Sequence, residues 1–347
     1  MTLRAVAAAA AAVAMLAVAP AQPGLREQLR ATQSEYYKHL VALEPIVGRY
    51  SVTDYMQRLV DDADAMDSPN DVPDGFTAGQ WHDYVLRKAT LDVSLAHQVL
   101  SQHYQPMESI HGLGEALVRS SLDGTMQPVA VYVPPSYTPA HPAPLVVFLH
   151  GHPQAETSLM APDYVAALAD ATGSIVVAPY GRGYYDFRGA IADVYDTVAV
   201  AGKAFAIDSR KRYLAGYSMG GFSVFEVAPV HADVWSGIMC ISGALLGHDA
   251  HAVTAMLSRT PFYVLTGSDD DSIPTQYPTA TAVYLNASGI PVSFYSQPHG
   301  THRIVTLLPI FTQAWGDMHR GIVRSPPPAL GGMALLSAPP KGATLKP

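Results

Sequence analysis

Gly216-Tyr217-Ser218-Met219-Gly220-Gly221 is the stretch on which the fold turns. It follows the apolar Tyr213–Ala215 and precedes the helix-like Phe222–Val227, so it reads as strand, sharp turn and helix with a serine at the apex. A serine there takes strained backbone angles, and glycines two residues before and after it let the strand and helix approach. Ser218 then stands at the carboxyl edge of a sheet, above a helix N-terminus whose partial positive charge favours an anion forming beside it. The plainer alternative is a tight turn whose serine caps a helix.

Outward from that turn, short apolar runs recur: Ala116–Ser121, Pro128–Val133, Leu145–Leu149, Ser174–Ala178, Ser236–Ile241, Phe262–Thr266 and Val292–Tyr295, most of them separated by helix-length segments. Such alternation predicts an α/β protein built of right-handed β-α-β units, with a mostly parallel twisted sheet and helices on both faces. Asp123-Gly124 marks the turn between the first two runs, although that connection exceeds a two-residue hairpin loop.

A serine hydroxyl is a poor nucleophile at neutral pH and needs a base. On such a sheet the expected chain order is Ser, then Asp or Glu, then His. The run Phe262–Thr266 ends in Gly267-Ser268-Asp269-Asp270-Asp271-Ser272-Ile273-Pro274, and Val292–Tyr295 leads to Pro298-His299-Gly300-Thr301-His302. Parallel strands bring both loops to the edge that carries Ser218. His302 follows a Gly-Thr pair and is favoured as the base over His299, which reads as a strand-end residue packed nearby. Three adjacent carboxylates are not all comfortable beside a forming imidazolium, so two of them should face water or cap the next turn. For the oxyanion, Leu145–Leu149 runs into His150-Gly151-His152-Pro153, where a glycine lets the chain turn and aim the next backbone N–H at the reaction centre. The amides of His152 and Met219 are the expected pair. A zinc reading of His150 and His152 is weak, because residues i and i+2 of an extended strand point to opposite faces and no third ligand is evident.

Together these residues resemble the α/β-hydrolase superfamily, and more narrowly its secreted esterases with feruloyl-esterase, polyhydroxyalkanoate-depolymerase and prolyl-oligopeptidase-like relatives. The resemblance runs from about Gly114 to Arg320 and is carried by Val131-Tyr132-Val133-Pro134-Pro135-Ser136-Tyr137, Pro144–Gly151, Ile207-Asp208 through Gly221, the Gly267–Pro274 loop and Gly300-Thr301-His302. It assigns the acid to Asp270, with Asp269 second, and implies a triad in which Asp270 orients His302 and His302 takes the Ser218 proton. That chemistry needs neither metal nor organic cofactor. It implies a carboxylic ester, small or polymer-derived, as substrate, with peptide cleavage or acyl transfer as alternatives and a noncatalytic binding protein on the same fold as a remote one.

Residues 22–112 read as a helical region, with apolar positions three and four apart at Leu25, Leu29, Tyr36, Leu40, Leu43 and again at Tyr55, Leu59, Met66. Ser51 with Asp54 resembles a capping box, Thr77 precedes a long run from Trp81 to Val99, and Pro69 and Pro73 mark the loop between. This region has no counterpart in the resemblance, and a packing role is expected of it. Its acidic stretch Asp61–Asp74 lacks the alternating order and terminal glutamate of a calcium loop. Trp81 and Trp235 read as core. In the hydrolase-like region, taken as residues 113–324, the loop Pro179–Arg188 should lie near the pocket, with Tyr184, Tyr185 and Arg182 placed to stack a ring or grip a carboxylate.

Across 347 residues the chain is 49% hydrophobic and 14% charged, with a formal charge of -8 that repels nucleic acid and anionic lipid, and the lone Cys240 rules out an intramolecular disulfide. Residues 1–21 carry Arg4, an apolar Ala5–Val18 run and Ala19-Pro20-Ala21, as a secretory leader does, so a secreted or periplasmic mature chain without a membrane span is expected to begin near Gln22. Residues 325–347, rich in Pro, Gly and Ala, read as a disordered tail.

Overall fold

The computed structural model describes residues 24–324 apart from 69, 74–75, 184–186 and 248–249. The leader expected at 1–21 and the tail expected at 325–347 lie outside the described residues.

The apolar runs are strands β1 (Gly112–Arg119), β2 (Met126–Val133), β3 (Ala143–Leu149), β4 (Ile175–Pro179), β5 (Ile207–Tyr217), β6 (Gly237–Ile241), β7 (Phe262–Gly267) and β8 (Val292–Gln297). They pair in the order β1-β2-β4-β3-β5-β6-β7-β8 within one eight-stranded sheet. Only β2 runs against its neighbours β1 and β4; the other pairings are parallel. β5 begins well before its apolar core, because its first residues form an exposed, polar extension of the strand.

Among the described residues, three α-helices precede the sheet: α1 (Leu25–Val47), α2 (Arg49–Asp67) and α3 (Ala78–Ser101). Among the strands lie α4 (Glu156–Met160), α5 (Asp163–Thr172), α6 (Ile191–Ala204), α7 (Met219–Val227), α8 (Ala250–Met256), α9 (Gln276–Ala287) and α10 (Leu308–Arg320). Side-chain alternation explains why the strand runs are continuously apolar. In β3, Leu145, Val147 and Leu149 join Val194 of α6, Phe225 of α7 and Leu285 of α9 in one core. Val146 and Phe148 point the other way, onto Val165 of α5 and Phe311 and Trp315 of α10. Each such side chain, fully buried, contributes about 1.5–3 kcal/mol.

The amino-terminal helices close on the sheet. Leu29, Tyr36 and Val47 of α1, Val52, Tyr55 and Leu59 of α2, and Leu95 and Val99 of α3 share a core with Leu117 of β1, Met126 of β2 and Tyr180. Thr77 caps α3 in a capping box with Gln80, its hydroxyl accepting from the Gln80 N–H at 3.3 Å while the Gln80 side chain accepts from the Thr77 N–H at 3.0 Å. The capping expectation at Ser51 is corrected: α2 starts two residues earlier, after Gly48, and Ser51 is buried inside its first turn.

Ionisable groups are buried where these helices meet the sheet. Arg58 of α2 donates to both oxygens of Glu156 at 2.5 and 3.1 Å and to Asp54 at 2.8 Å. Its guanidinium lies 4.6 Å from the Tyr180 ring centre and 5.2 Å from that of Tyr55. Lys88 donates to Asp62 at 2.6 Å and to Asp92 at 2.8 Å. Asp62 thus belongs to a buried hydrogen-bonded network with Lys88 and Asp92, while Asp61, Asp64 and Asp67 are exposed. Burial first, and then the Asp92 charge, pushes Asp62 up to about 8.

Candidate active site

The turn after β5 carries Ser218 at φ 54° and ψ −115°, a conformation that costs a non-glycine residue about 1–3 kcal/mol and persists only where its surroundings enforce it. They do so here. A Cβ on Gly216 would stand 2.1 Å from the Gly220 carbonyl oxygen, and one on Gly220 would stand 2.3 Å from that of Leu149. The Ser218 N–H donates to Ile241 O of β6 at 2.9 Å and the Gly220 N–H to His150 O at 3.0 Å. The serine is held between the ends of β3 and β6.

Ser218 Oγ lies 2.8 Å from His302 Nε2, and His302 Nδ1 lies 3.0 and 3.1 Å from the two Asp270 oxygens. Asp270 is buried, and its Oδ1 also accepts from the backbone N–H groups of Ile273 at 2.7 Å and Ser272 at 3.1 Å. Those donors fix the carboxylate and satisfy its charge away from water. The Tyr217 hydroxyl donates to His302 O at 2.5 Å, and its ring centre is 5.4 Å from that of the imidazole. Burial, and to a smaller degree the nearby Asp270 charge, pushes the Tyr217 phenol up, so it stays protonated and able to donate.

The alternative pair stands apart from the serine. Asp269 is exposed with Oδ2 3.2 Å from His299 Nδ1, and the His299 side chain is 91% accessible. The Ser268 hydroxyl and His299 hold Asp269 below its ordinary value. Asp271 is also exposed. Hydrogen bonding therefore links Ser218 to His302 and His302 to Asp270.

The loop after β3 passes close to Ser218: a Cβ on Gly151 would be 3.1 Å from Ser218 Cβ. His152 follows on that loop, and Met219 opens α7, so its amide is one of those a helix start leaves without an intrahelical acceptor. The His150 ring is buried between the carbonyl oxygens of Gly151 at 2.9 Å and Tyr180 at 2.7 Å, and packs edge-on against Phe187. Burial lowers its pKa, and the ring serves to hold the turn. No group of three or more metal-ligating side chains occurs among the described residues.

The substrate-gripping expectation for Arg182 is corrected. Its guanidinium is buried and committed to Asp193, to Asp123 at 2.5 and 3.2 Å, and to the Ser120 hydroxyl at 2.6 Å. It ties the turn after β4 to α6 and to the β1–β2 connection. Tyr184 and Tyr185 lie outside the described residues. Trp235 is core, as expected, but Trp81 is not. With Phe76, Tyr84, Tyr164 and Tyr217 it lines a cavity of about 190 Å³ beside the site. Sequence reading missed this wall; its trace was three aromatic residues between 76 and 84, two of them spaced i, i+3 on one helical face.

Strand order, the single reversed strand and the serine turn together define the α/β-hydrolase fold. Solved structures that share it include a thermostable esterase, at TM-score 0.52 and 17% identity over 61% of this chain and 63% of that one. The CE1 ferulic acid esterase AmCE1/Fae1A of Anaeromyces mucronatus, in complex with ferulic acid, matches at TM-score 0.51 and 16% identity over 61% of this chain and 93% of its own. The substrate-bound fluorophosphonate-binding serine hydrolase FphF of Staphylococcus aureus matches at TM-score 0.51 and 16% identity over 60% and 98%. Among curated proteins, the bifunctional acetylxylan esterase/xylanase XynS20E of Neocallimastix patriciarum is 25% identical over 161 residues, which is 44% of this chain and 23% of that protein. The chain thus spans about a quarter of that relative's length. No family model matches the chain.

Proposed function

We infer that this chain is a secreted or periplasmic serine hydrolase of carboxylic esters, working through an acyl-Ser218 intermediate. The observation that carries the reading is the hydrogen-bonded chain from Ser218 Oγ through His302 to the buried Asp270, at 2.8 and 3.0 Å. In the reaction, His302 Nε2 takes the Ser218 proton as Oγ attacks the ester carbonyl, while Asp270 holds Nδ1–H and stabilises the imidazolium. The amides of His152 and Met219 receive the oxyanion of the tetrahedral intermediate. His302 then protonates the departing alcohol, and a water molecule, deprotonated by the same base, releases the acid. No cofactor enters these steps. The esterases among the structural and sequence relatives support an ester as substrate. No helix among the described residues is long and apolar enough to cross a membrane. On this reading residues 1–21 are a leader, 22–112 a helical region, 113–324 the catalytic region and 325–347 a tail.

Steady-state hydrolysis of p-nitrophenyl acetate, p-nitrophenyl octanoate, methyl ferulate and an aminoacyl-prolyl anilide tests it, with Ser218→Ala as blank. The expected result is ester turnover that falls at least about 10³-fold in Ser218→Ala, with the circular-dichroism spectrum unchanged. Turnover of the anilide above the esters, or Ser218→Ala retaining wild-type rates, overturns the assignment.

A further inference from the structure

The start of α3 and the loop before it bring three aromatic rings to the edge of the proposed active site. The Trp81 and Tyr84 rings stack at 5.3 Å, and Phe76 packs at 5.6 Å from Trp81 and 5.7 Å from Tyr84. They form one wall of the cavity of about 190 Å³. The facing wall is made by residues next to the reacting groups: Tyr217 precedes Ser218, Arg303 follows His302, and Gln154 lies two residues beyond His152. A hollow of about 150 Å³ accepts a benzene ring, so the volume suits a single substituted ring. The Trp81 indole N–H is shielded from solvent and has no hydrogen-bond partner among the described residues. A second hollow of about 440 Å³ shares Phe76, Tyr84 and Tyr164 with the first and extends it outward between α3 and α5.

Which part of an ester would lie there follows from the base. His302 Nε2 hands its proton to the leaving oxygen, so the departing alcohol sits on the imidazole side of the serine. The cavity is on that side, since Tyr217, whose ring packs on His302, and Arg303 both line it. We propose that this cavity is the leaving-alcohol subsite, that it takes an alcohol bearing an aromatic ring, and that Phe76, Trp81 and Tyr84 of the amino-terminal helical region determine that preference. The proposal rests on the reading of Ser218 as nucleophile. It gives the helical region a part in substrate choice beyond packing.

The experiment compares kcat/KM for 2-phenylethyl acetate, ethyl acetate and ethyl phenylacetate in wild type, Trp81→Ala and Trp81→Leu. The first ester places the ring on the alcohol, the last on the acyl group. The expected result is a loss of about tenfold for 2-phenylethyl acetate in both variants, with ethyl acetate and ethyl phenylacetate within about twofold of wild type. Equal effects on all three esters, or a loss confined to ethyl phenylacetate, overturn the assignment. Binding of 2-phenylethanol to Ser218→Ala, followed by quenching of the Trp81 fluorescence and by calorimetry, reads the cavity without chemistry. Saturable binding that Trp81→Leu weakens about tenfold supports the subsite even if no ester turns over, in which case the reading of Ser218 alone fails. Absence of binding overturns the subsite.

Discussion

Arg58 and Glu156 join two parts of the chain that lie 98 positions apart: the guanidinium of α2 donates to both carboxylate oxygens at the start of α4, and both side chains are out of solvent. Glu156 begins the helix that follows the His150–Gln154 turn, so the amino-terminal helices brace the loop that reaches over Ser218.

Arg58→Met should therefore destabilise the fold by about 3–5 kcal/mol, because it leaves the buried Glu156 without its partner. Arg58→Lys should recover only part of that loss, since an ammonium does not match both oxygens as a planar fork does. Urea unfolding of the three proteins measures it. A loss below about 1 kcal/mol for the methionine variant would show that Glu156 is already neutral in the native state, the form that its burial favours.

The proposed base predicts an asymmetry between two neighbouring histidines. His302→Gln should lower kcat on p-nitrophenyl acetate at least about 10³-fold, and Asp270→Asn by a comparable factor, as expected when the imidazole loses its orienting carboxylate. His299→Gln and Asp269→Asn should stay within about twofold of wild type, because that exposed pair makes no contact with Ser218. The reverse ranking would move the base to His299.

Much of this architecture was legible in the chain. Glycine spacing around Ser218 and unbroken apolar runs such as Leu145–Leu149 encode a strand–turn–helix and a two-faced sheet directly, because each depends on local periodicity. The loops that carry Asp270 and His302 were legible, since parallel strands deliver their carboxyl ends side by side, but the choice of Asp270 over Asp269 came from the family resemblance. Arg182 misled because a sequence shows a charge near a pocket but not its partners; Asp193 is local, whereas Asp123 comes from 59 residues away. The Phe76–Tyr84 wall was missed for the same reason. Aromatic residues on a helix face look alike whether they meet a core or a cavity, and only the packing of α3 against the loops after β3 and β8 separates the two.

Arg182 yields a prediction opposite in kind to its sequence expectation. Its removal should cost stability rather than substrate selectivity: Arg182→Met leaves Asp193 buried and unpaired and should lower the unfolding free energy by about 3 kcal/mol. The ratio of kcat/KM between an anionic and a neutral ester of equal size should be unchanged. A selective loss on the anionic ester would restore the residue to the pocket.

Glu115 of β1 supplies a pH signature. Its carboxyl is buried beside Glu156 and Asp92. Burial first, then those two charges, pushes its pKa well above the ordinary carboxylate range. The native state therefore prefers the protonated acid while the unfolded chain releases the proton. Below the ordinary range both states hold the proton and nothing is lost; as pH rises above it, up to the native pKa, stability falls by about 1.4 kcal/mol per unit. Glu115→Gln keeps the shape of the neutral acid and cannot ionise. It should match wild type in urea unfolding near pH 4 and exceed it increasingly between pH 5 and 8. A difference that does not change with pH would mean that Glu115 is ionised in the native protein, balanced by Arg58.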